Sequence, residues 1–303
     1  MCIRDRLETV WHAVMHGYNL SQAADKLHTS QSSLSKHIAA LESQLKADVF
    51  MRQGKRLTGL TSVGQALMPH IEAIFAEMRS IERLALDFND SAIGTLTVAT
   101  THTQARYVLP SIVKRFRELY PRVNLVLNQS DPDSIAEMVA FGQADIGIAT
   151  ESLLNNSVLR CHRYYDWRHV VIVPNEHELA KFAGKLDAVD LPTLASYPLV
   201  TYHGGFTGRG RINEAFAQAG FTPEVVLSAL DADVISTYVM AGLGVGIIAE
   251  MAYEPSHYSS LVALPVSHFG RFTSWIAVRD DSEPRKFGQA FIELCQAQFD
   301  NFL

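Results

Sequence analysis

Asn19-Leu-Ser-Gln-Ala-Ala-Asp-Lys-Leu-His-Thr-Ser-Gln-Ser-Ser-Leu-Ser-Lys36, running on through His37 to Leu45, is the stretch whose reading decides the front of the fold. Asn19 or Ser21 can cap a short helix that carries Leu20, Ala23, Ala24 and Leu27 on one side. His28-Thr29-Ser30 is a polar break, and Ser30 can cap a second helix over Gln31–Leu45. Leu34, Ile38, Leu41 and Leu45 recur at spacings of 4, 3 and 4 and face inward. At about 100° per residue, Ser32, Lys36 and Ser43 face the other way. Small polar and basic side chains on the outer face of a second helix are what entry into a major groove about 12 Å wide requires. Val49 to Leu60 then alternates like two strands around Gln53-Gly54-Lys55, a basic tip able to lie along phosphates as a wing. A three-helix module that binds protein would show the same spacing.

Outward from this head, Ser62 and Gln65 offer a capping box. Leu67, Ile71, Ile74, Met78, Ile81, Ala85 and Phe88 then repeat at 4, 3, 4, 3, 4 and 3. That is three heptads of a seam, read here as a dimer contact in preference to a helix packed on its own domain. From residue 93, β-branched runs alternate with helical patterns, the signature of an α/β domain with a mostly parallel sheet. Strands are expected over residues 95–101, 123–127, 144–150, from 199, and over 225–229. Gly242 to Ile248 reads as a tight turn into a buried strand. The expected architecture is multidomain α+β, with a winged helix-turn-helix over 1–60, a linker helix over 61–90 and a two-lobed α/β domain over 91–303. Its second lobe, about 169–269, is inserted in a first made of about 91–168 and 270–303. Residues 1–6 lead poorly into a helix starting near Leu7 and are set aside.

Composition agrees. The 303 residues are 48% hydrophobic and 19% charged, which excludes a disordered chain. The net charge of −6 divides unevenly: residues 1–60 hold eight Lys/Arg against five Asp/Glu, so the head is +3 and the remainder −9. Cys2, Cys161 and Cys295 lie far apart, and no signal-like or membrane-length apolar segment is present, so a reducing cytoplasm is expected. Ligands of open α/β sheets gather beyond strand carboxyl ends, where Thr101, Thr103 and Gln104 mark one junction and Thr150 another. Hydroxyls, an amide and free N–H groups suit a small anion without a formal positive charge.

Catalytic patterns are missing. Gly205 to Gly210 approaches a phosphate loop, but Arg211 and Ile212 stand where lysine and a hydroxyl are needed. Gly242, Gly244 and Gly246 precede a strand where a dinucleotide fingerprint needs a helix. Twelve histidines form no metal-ligand spacing, and there is no nucleophile elbow. No enzyme activity, metal or cofactor is expected.

Ala23-Ala-Asp-Lys-Leu27, Thr29-Ser-Gln-Ser-Ser-Leu-Ser-Lys36, Leu41-Glu-x-x-Leu45, Val49-Phe-x-Arg52 and Leu57-Thr-x-x-Thr-x-x-Gly64 resemble, in order and spacing, the LysR-type transcriptional regulators. Ala99-Thr-Thr-His-Thr-Gln-Ala-Arg-Tyr107, Ile148-Ala-Thr-Glu151, Tyr197-Pro-Leu-Val-Thr-Tyr202, Gly205-Phe-Thr-Gly-Arg209 and Asp231-Ala-Asp-Val-Ile235 resemble the CysB branch, which controls sulfur assimilation and cysteine biosynthesis. The resemblance implies a winged head reading double-stranded DNA, an effector domain like periplasmic binding proteins, homodimers or homotetramers, and contact with RNA polymerase. It implies DNA contacts at Ser30, Gln31, Ser32, Ser33, Lys36, Arg52, Lys55 and Arg56. For the effector, sulfate, acetylserine or a related sulfur anion, it implies Thr101, His102, Thr103, Gln104, Thr150, Tyr202, His203 and Thr207. His203 stands where the branch commonly has threonine, and predicts tighter anion binding when protonated. The alternatives are a family member answering another ligand, for example in nitrogen or sulfonate metabolism, and a solute-binding module without a regulatory role.

Overall fold

The computed structural model describes residues 2–54, 56–87, 93–204 and 207–300, and the chain divides into two compact units, Met1–Leu84 and Ala85–Leu303. In the first unit, α1 (Ile3–Met15), α2 (Leu20–Lys26) and α3 (Gln31–Leu45) are followed by a hairpin of β1 (Phe50–Gln53) and β2 (Arg56–Leu60) and by the long α4 (Ser62–Asp87). Helix α1 begins well before Leu7, because the Cys2 backbone N–H donates to Asp5 and Arg6 reaches Gln44 on α3; residues 3–6 belong to the fold. Asn19 caps α2 by accepting from the N–H groups of Ser21 and Gln22, and Ser30 caps α3 by accepting from Ser33. The apolar stripe of α3 (Leu34, Ile38, Leu41) is buried against α1 and α2, with Ala23 and Ala24 at the crossing.

Helix α4 departs from the sequence expectation twice. Its first turn is held by Thr61, one residue before Ser62: the hydroxyl donates to Asp48 O (2.6 Å) and accepts from Gly64 N (3.1 Å). The seam is also divided. Leu67 and Ile71 join Met68 and Phe75 in packing on the head's own core, whereas Ile74 and Ile81 are 44% and 62% exposed. The first heptad positions thus serve the monomer, and the side chains of Ala85 and Phe88 lie outside the described residues.

The second unit holds two five-stranded sheets. One contains β3 (Gly94–Thr100), β4 (Val123–Gln129), β5 (Ile146–Ala149), β6 (Leu159–Trp167) and β12 (Phe272–Arg279), in the order β4-β3-β5-β12-β6. The other contains β7 (His169–Pro174), β8 (Leu199–Tyr202), β9 (Val225–Ala229), β10 (Val245–Ala249) and β11 (Leu261–Pro265), in the order β11-β7-β10-β8-β9. Helices α5 (Leu109–Leu119), α6 (Pro132–Ala140) and α10 (Lys286–Asp300) belong with the first sheet; α7 (Leu191–Ala195), α8 (Thr207–Gln218) and α9 (Ala232–Met240) belong with the second.

The sheets repeat one plan. Each has three parallel strands (β4, β3, β5 and β9, β8, β10), then an antiparallel strand contributed by the chain on its way in from the other lobe (β12 and β7). The chain crosses between Trp167 and His169 and returns between Pro265 and Phe272, so one lobe is inserted in the other. Both crossings are held alike. Glu151, just after β5, accepts the N–H of Thr273 at 2.9 Å, and Glu250, just after β10, accepts that of Arg168 at 2.9 Å. Before β10 the turn needs glycine: Gly242 has φ +80°, and a Cβ on Gly244 would lie 2.2 Å from Pro198 O. No helix among the described residues is long and apolar enough to cross a membrane.

Candidate functional site

In the head, the outer face of α3 exposes Gln31, Ser32 and Lys36. Ser30 is exposed as well, but its hydroxyl is occupied as the cap and meets Ser32 Oγ at 3.0 Å. Ser33 is half-buried, 3.3 Å from the His37 ring, whose other nitrogen meets the Thr9 hydroxyl. Gln31 and Arg56 share the walls of a groove of about 390 Å³ with Asn19, Ser21 and Gln53, so the amino end of α2, that of α3 and the hairpin border one polar concavity. Asn19, Ser21 and Gln53 were not among the expected contacts; only the hairpin's placement beside the helix starts brings them in. Arg52 corrects the expectation of a free phosphate contact. Its guanidinium lies 2.8 Å from Glu42, whose other oxygen accepts from the N–H groups of Val49 and Phe50. It fastens the hairpin to α3. Lys55 lies outside the described residues.

Between the two sheets of the second unit is a cavity of about 50 Å³. Where one water needs about 10–15 Å³ by the same measure, this holds on the order of four water-sized groups, the scale of a small oxyanion or the head of a small amino-acid derivative. Thr101, His102, Thr103, Gln104 and Thr150 line it from the first lobe, and Tyr202 from the second. The backbone brings them together because β3, β5 and β8 all end here, Thr103 leads into a π-helical turn over Gln104–Val108, and Tyr202 is the last residue of β8. No lysine, arginine, aspartate or glutamate is among the described lining residues.

Their hydrogen bonds separate their roles. The Gln104 amide is 3% exposed and engaged at both ends, donating to Ser274 Oγ (3.0 Å) and accepting from Tyr165 OH (2.9 Å). It stiffens the wall. Tyr202 OH accepts from Ala249 N (3.1 Å) and bonds the Thr103 side chain, while burial pushes its phenol up to about 12, so it stays a neutral hydroxyl. His102 sits at the rim with Nδ1 2.9 Å from Gln129 Oε1 and Nε2 3.3 Å from Asp233. His203 corrects the expectation: it is exposed, its backbone N–H is bonded to Ala229 O, and it is not a lining residue, so the argument from its protonation loses its basis. The Thr207 side chain lies outside the described residues; its neighbour Gly208 lines the cavity.

Three lining residues escaped the sequence reading and matter chemically: Trp167, His169 and Gly208. The two aromatics flank the chain crossing, so only the swapped strand topology brings them here. Trp167 Nε1 and both ring nitrogens of His169 are buried without a hydrogen-bond partner among the described residues. Buried polar groups are ordinarily paired, so an unpaired one on a residue lining a cavity is a group that a ligand or a water can meet.

Beside the cavity, Asp233 clasps the lobes. Its Oδ1 accepts from Tyr107 OH (2.8 Å) of the first lobe and Tyr258 OH (2.7 Å) of the second, and its Oδ2 lies 2.7 Å from Arg106 Nε. Burial opposes its ionisation, but the bonds from Tyr258, Tyr107 and His102 and the Arg106 charge outweigh this and hold the carboxyl below the usual range. His102, Asp231 and Asp233 place ligand atoms within 4.8 Å of one another. Both Asp233 oxygens are already committed to donors and Asp231 caps α9, which makes the group a clasp and not a cation cage.

Comparison with known proteins places this geometry. Residues 5–65 match the family model "Bacterial regulatory helix-turn-helix protein, lysR family", and residues 89–300 match "LysR substrate binding domain". The chain is 43% identical over 290 residues to the transcriptional regulator SsuR of Burkholderia cenocepacia, covering 95% of this chain and 93% of that one. It is 42% identical over 293 residues to the regulator cbl of Escherichia coli, covering 96% and 92%. The solved cofactor-binding domain of the Cbl transcriptional regulator superposes with a TM-score of 0.63 at 43% identity, covering 68% of this chain and 89% of that one. Full-length CbnR, solved with its target DNA, shares the fold at a TM-score of 0.65 and 21% identity, covering 98% and 99%. Regulators of this kind bind DNA and small effectors and form oligomers. The chain belongs to the LysR family: it is a DNA-binding transcriptional regulator and not an enzyme.

Proposed function

We propose that this regulator is switched by sulfate, acetylserine or a related small sulfur anion held in the cavity between its two lobes. The observation that carries the reading is the cavity itself: about 50 Å³, where the described residues supply the hydroxyls of Thr101, Thr103, Thr150 and Tyr202 beside apolar Pro132, Leu230 and Met251, and no formally charged side chain. Neutral donors with a fixed orientation stabilise a small anion without the desolvation cost of a buried cation partner. The likeness to SsuR, cbl and CysB regulators supports the sulfur chemistry. Occupancy favours one arrangement of the lobes and hence one spacing of the reading heads, a coupling on the order of 1–3 kcal/mol.

The head reads double-stranded DNA with Gln31, Ser32 and Lys36 in or at the edge of the major groove and Arg56 on phosphates. Dimers, paired through Ile74 and Ile81 of α4 and doubled to tetramers, present these heads, and RNA polymerase is the partner during activation. The test is a thermal-shift screen of the purified protein against sulfate, thiosulfate, acetylserine, sulfonates and adenylyl sulfate. A rise in melting temperature with one of them, and a change in its gel-shift pattern on operator DNA, is expected. No response to any of them sinks the sulfur reading.

A further inference from the structure

We propose that His169 contacts the effector directly, one ring N–H reaching an acceptor oxygen of the bound molecule. The inference rests on the cavity being the effector site, and adds a contact that the sequence reading did not assign. His169 is 1% exposed and is the first residue of β7, where the chain enters the second lobe. Trp167, Phe269 and Phe272 pack around it edge to face, with centroids at 5.2, 6.0 and 4.8 Å, and Tyr202 is tilted at 6.1 Å. Within this cage both ring nitrogens are buried and have no hydrogen-bond partner among the described residues.

The ring borders the cavity. Gly208 lines the same cavity, and a Cβ there would lie 2.9 Å from both Cε1 and Nε2 of His169. With no side chain at 208, the backbone comes close to the Nε2 edge of the ring, so His169 and Gly208 form one stretch of the cavity wall. Burial, and the Arg211 charge beyond it, push the imidazole down to about 3, so near neutrality it carries one N–H and one lone pair. It therefore donates to an oxyanion as a neutral group, choosing the tautomer the guest needs. Because His169 follows the crossing and its backbone pairs with Ala249 of β10, a bond made here ties ligand occupancy to the crossing strand.

The experiment uses the full-length protein, with calorimetric titrations of sodium sulfate and acetylserine and thermal unfolding without ligand. His169→Phe keeps the ring and its edge contacts and removes both nitrogens. The expected result is a loss of affinity of roughly 10- to 100-fold for whichever probe the wild type binds, the worth of one hydrogen bond to a charged acceptor. The ligand-free melting temperature should hold or rise, since two unsatisfied buried atoms disappear. Gly208→Ala, whose methyl would lie 2.9 Å from Cε1 and Nε2 and so forces the ring out of its position, should weaken the same probe. Unchanged affinity in both variants overturns the proposal, as does a lowered melting temperature in His169→Phe with unchanged affinity in Gly208→Ala, which marks a packing residue. A wild type silent to both probes counts instead against the sulfur reading, and His169 is then judged by melting temperature alone, a fall refuting the inference.

Discussion

Replacing Asp233 by asparagine tests whether the clasp holds the lobes together. The substitution keeps the shape and one acceptor oxygen but removes the charge from a side chain only 29% exposed. Hydrogen bonds to a charged acceptor are roughly twice as strong as neutral ones, so the Tyr107 and Tyr258 bonds each weaken by about 1 kcal/mol. The Arg106 pair adds about 0–1 kcal/mol, because that guanidinium is 52% exposed and screened by solvent. The expected destabilisation of the second unit is therefore about 2–3 kcal/mol, read from the urea midpoint with an unchanged slope. The pH dependence has a fixed sign. The folded-state pKa is lowered, so the contribution is complete above the ordinary carboxylate range and is lost as pH falls through the lowered value. Wild type and variant should converge in acid. A difference below about 0.5 kcal/mol at neutral pH, or one that does not shrink as the pH is lowered into acid, refutes the clasp.

Lys36→Ala should cost about 1–3 kcal/mol on operator DNA and little on random DNA if Lys36 reads a base. Arg56→Ala should weaken both DNAs alike and lower the salt slope by about 1; gel shifts across a salt series that show neither pattern discard this docking. Thr103→Ala removes a cavity hydroxyl that also bonds Tyr202, and should abolish the calorimetric response to ligand while ligand-free DNA binding stays intact. Loss of ligand-free DNA binding would show Thr103 to be structural. Ile74→Asp with Ile81→Asp introduces charge on the two exposed seam positions and should shift sedimentation toward the monomer; an unchanged sedimentation coefficient removes α4 as the pairing surface.

Much of the head was legible because its determinants are local. The caps Asn19 and Ser30 and the stripe Leu34, Ile38, Leu41 act within a few residues of themselves, and the periodicity of α3 reports directly which face is buried. The long helix was legible in extent but not in partnership. Leu67 and Ile71 look the same in sequence as Ile74 and Ile81, and only packing in the head's core distinguishes the pair that serves the head from the pair left exposed. Arg52 follows the same rule: a basic residue on a hairpin reads as a phosphate contact, and only the tertiary structure sets Glu42, ten residues earlier, beside it.

The sequence by itself determined the two-unit plan, the parallel strand ends that gather Thr101, Thr103, Gln104 and Thr150, and the exposed polar face of α3, since strand alternation, helical period and capping are all short-range signals. Tertiary structure alone decided which of those residues remain available and which are already bonded. It turned Gln104 inward to Ser274 and Tyr165, left His203 in solvent, and brought Trp167, His169 and Gly208 to the wall. The reason is the strand exchange between lobes. His169 and Ala249, eighty residues apart, become neighbours only when the crossing strand pairs in the other sheet, and no local pattern encodes that contact.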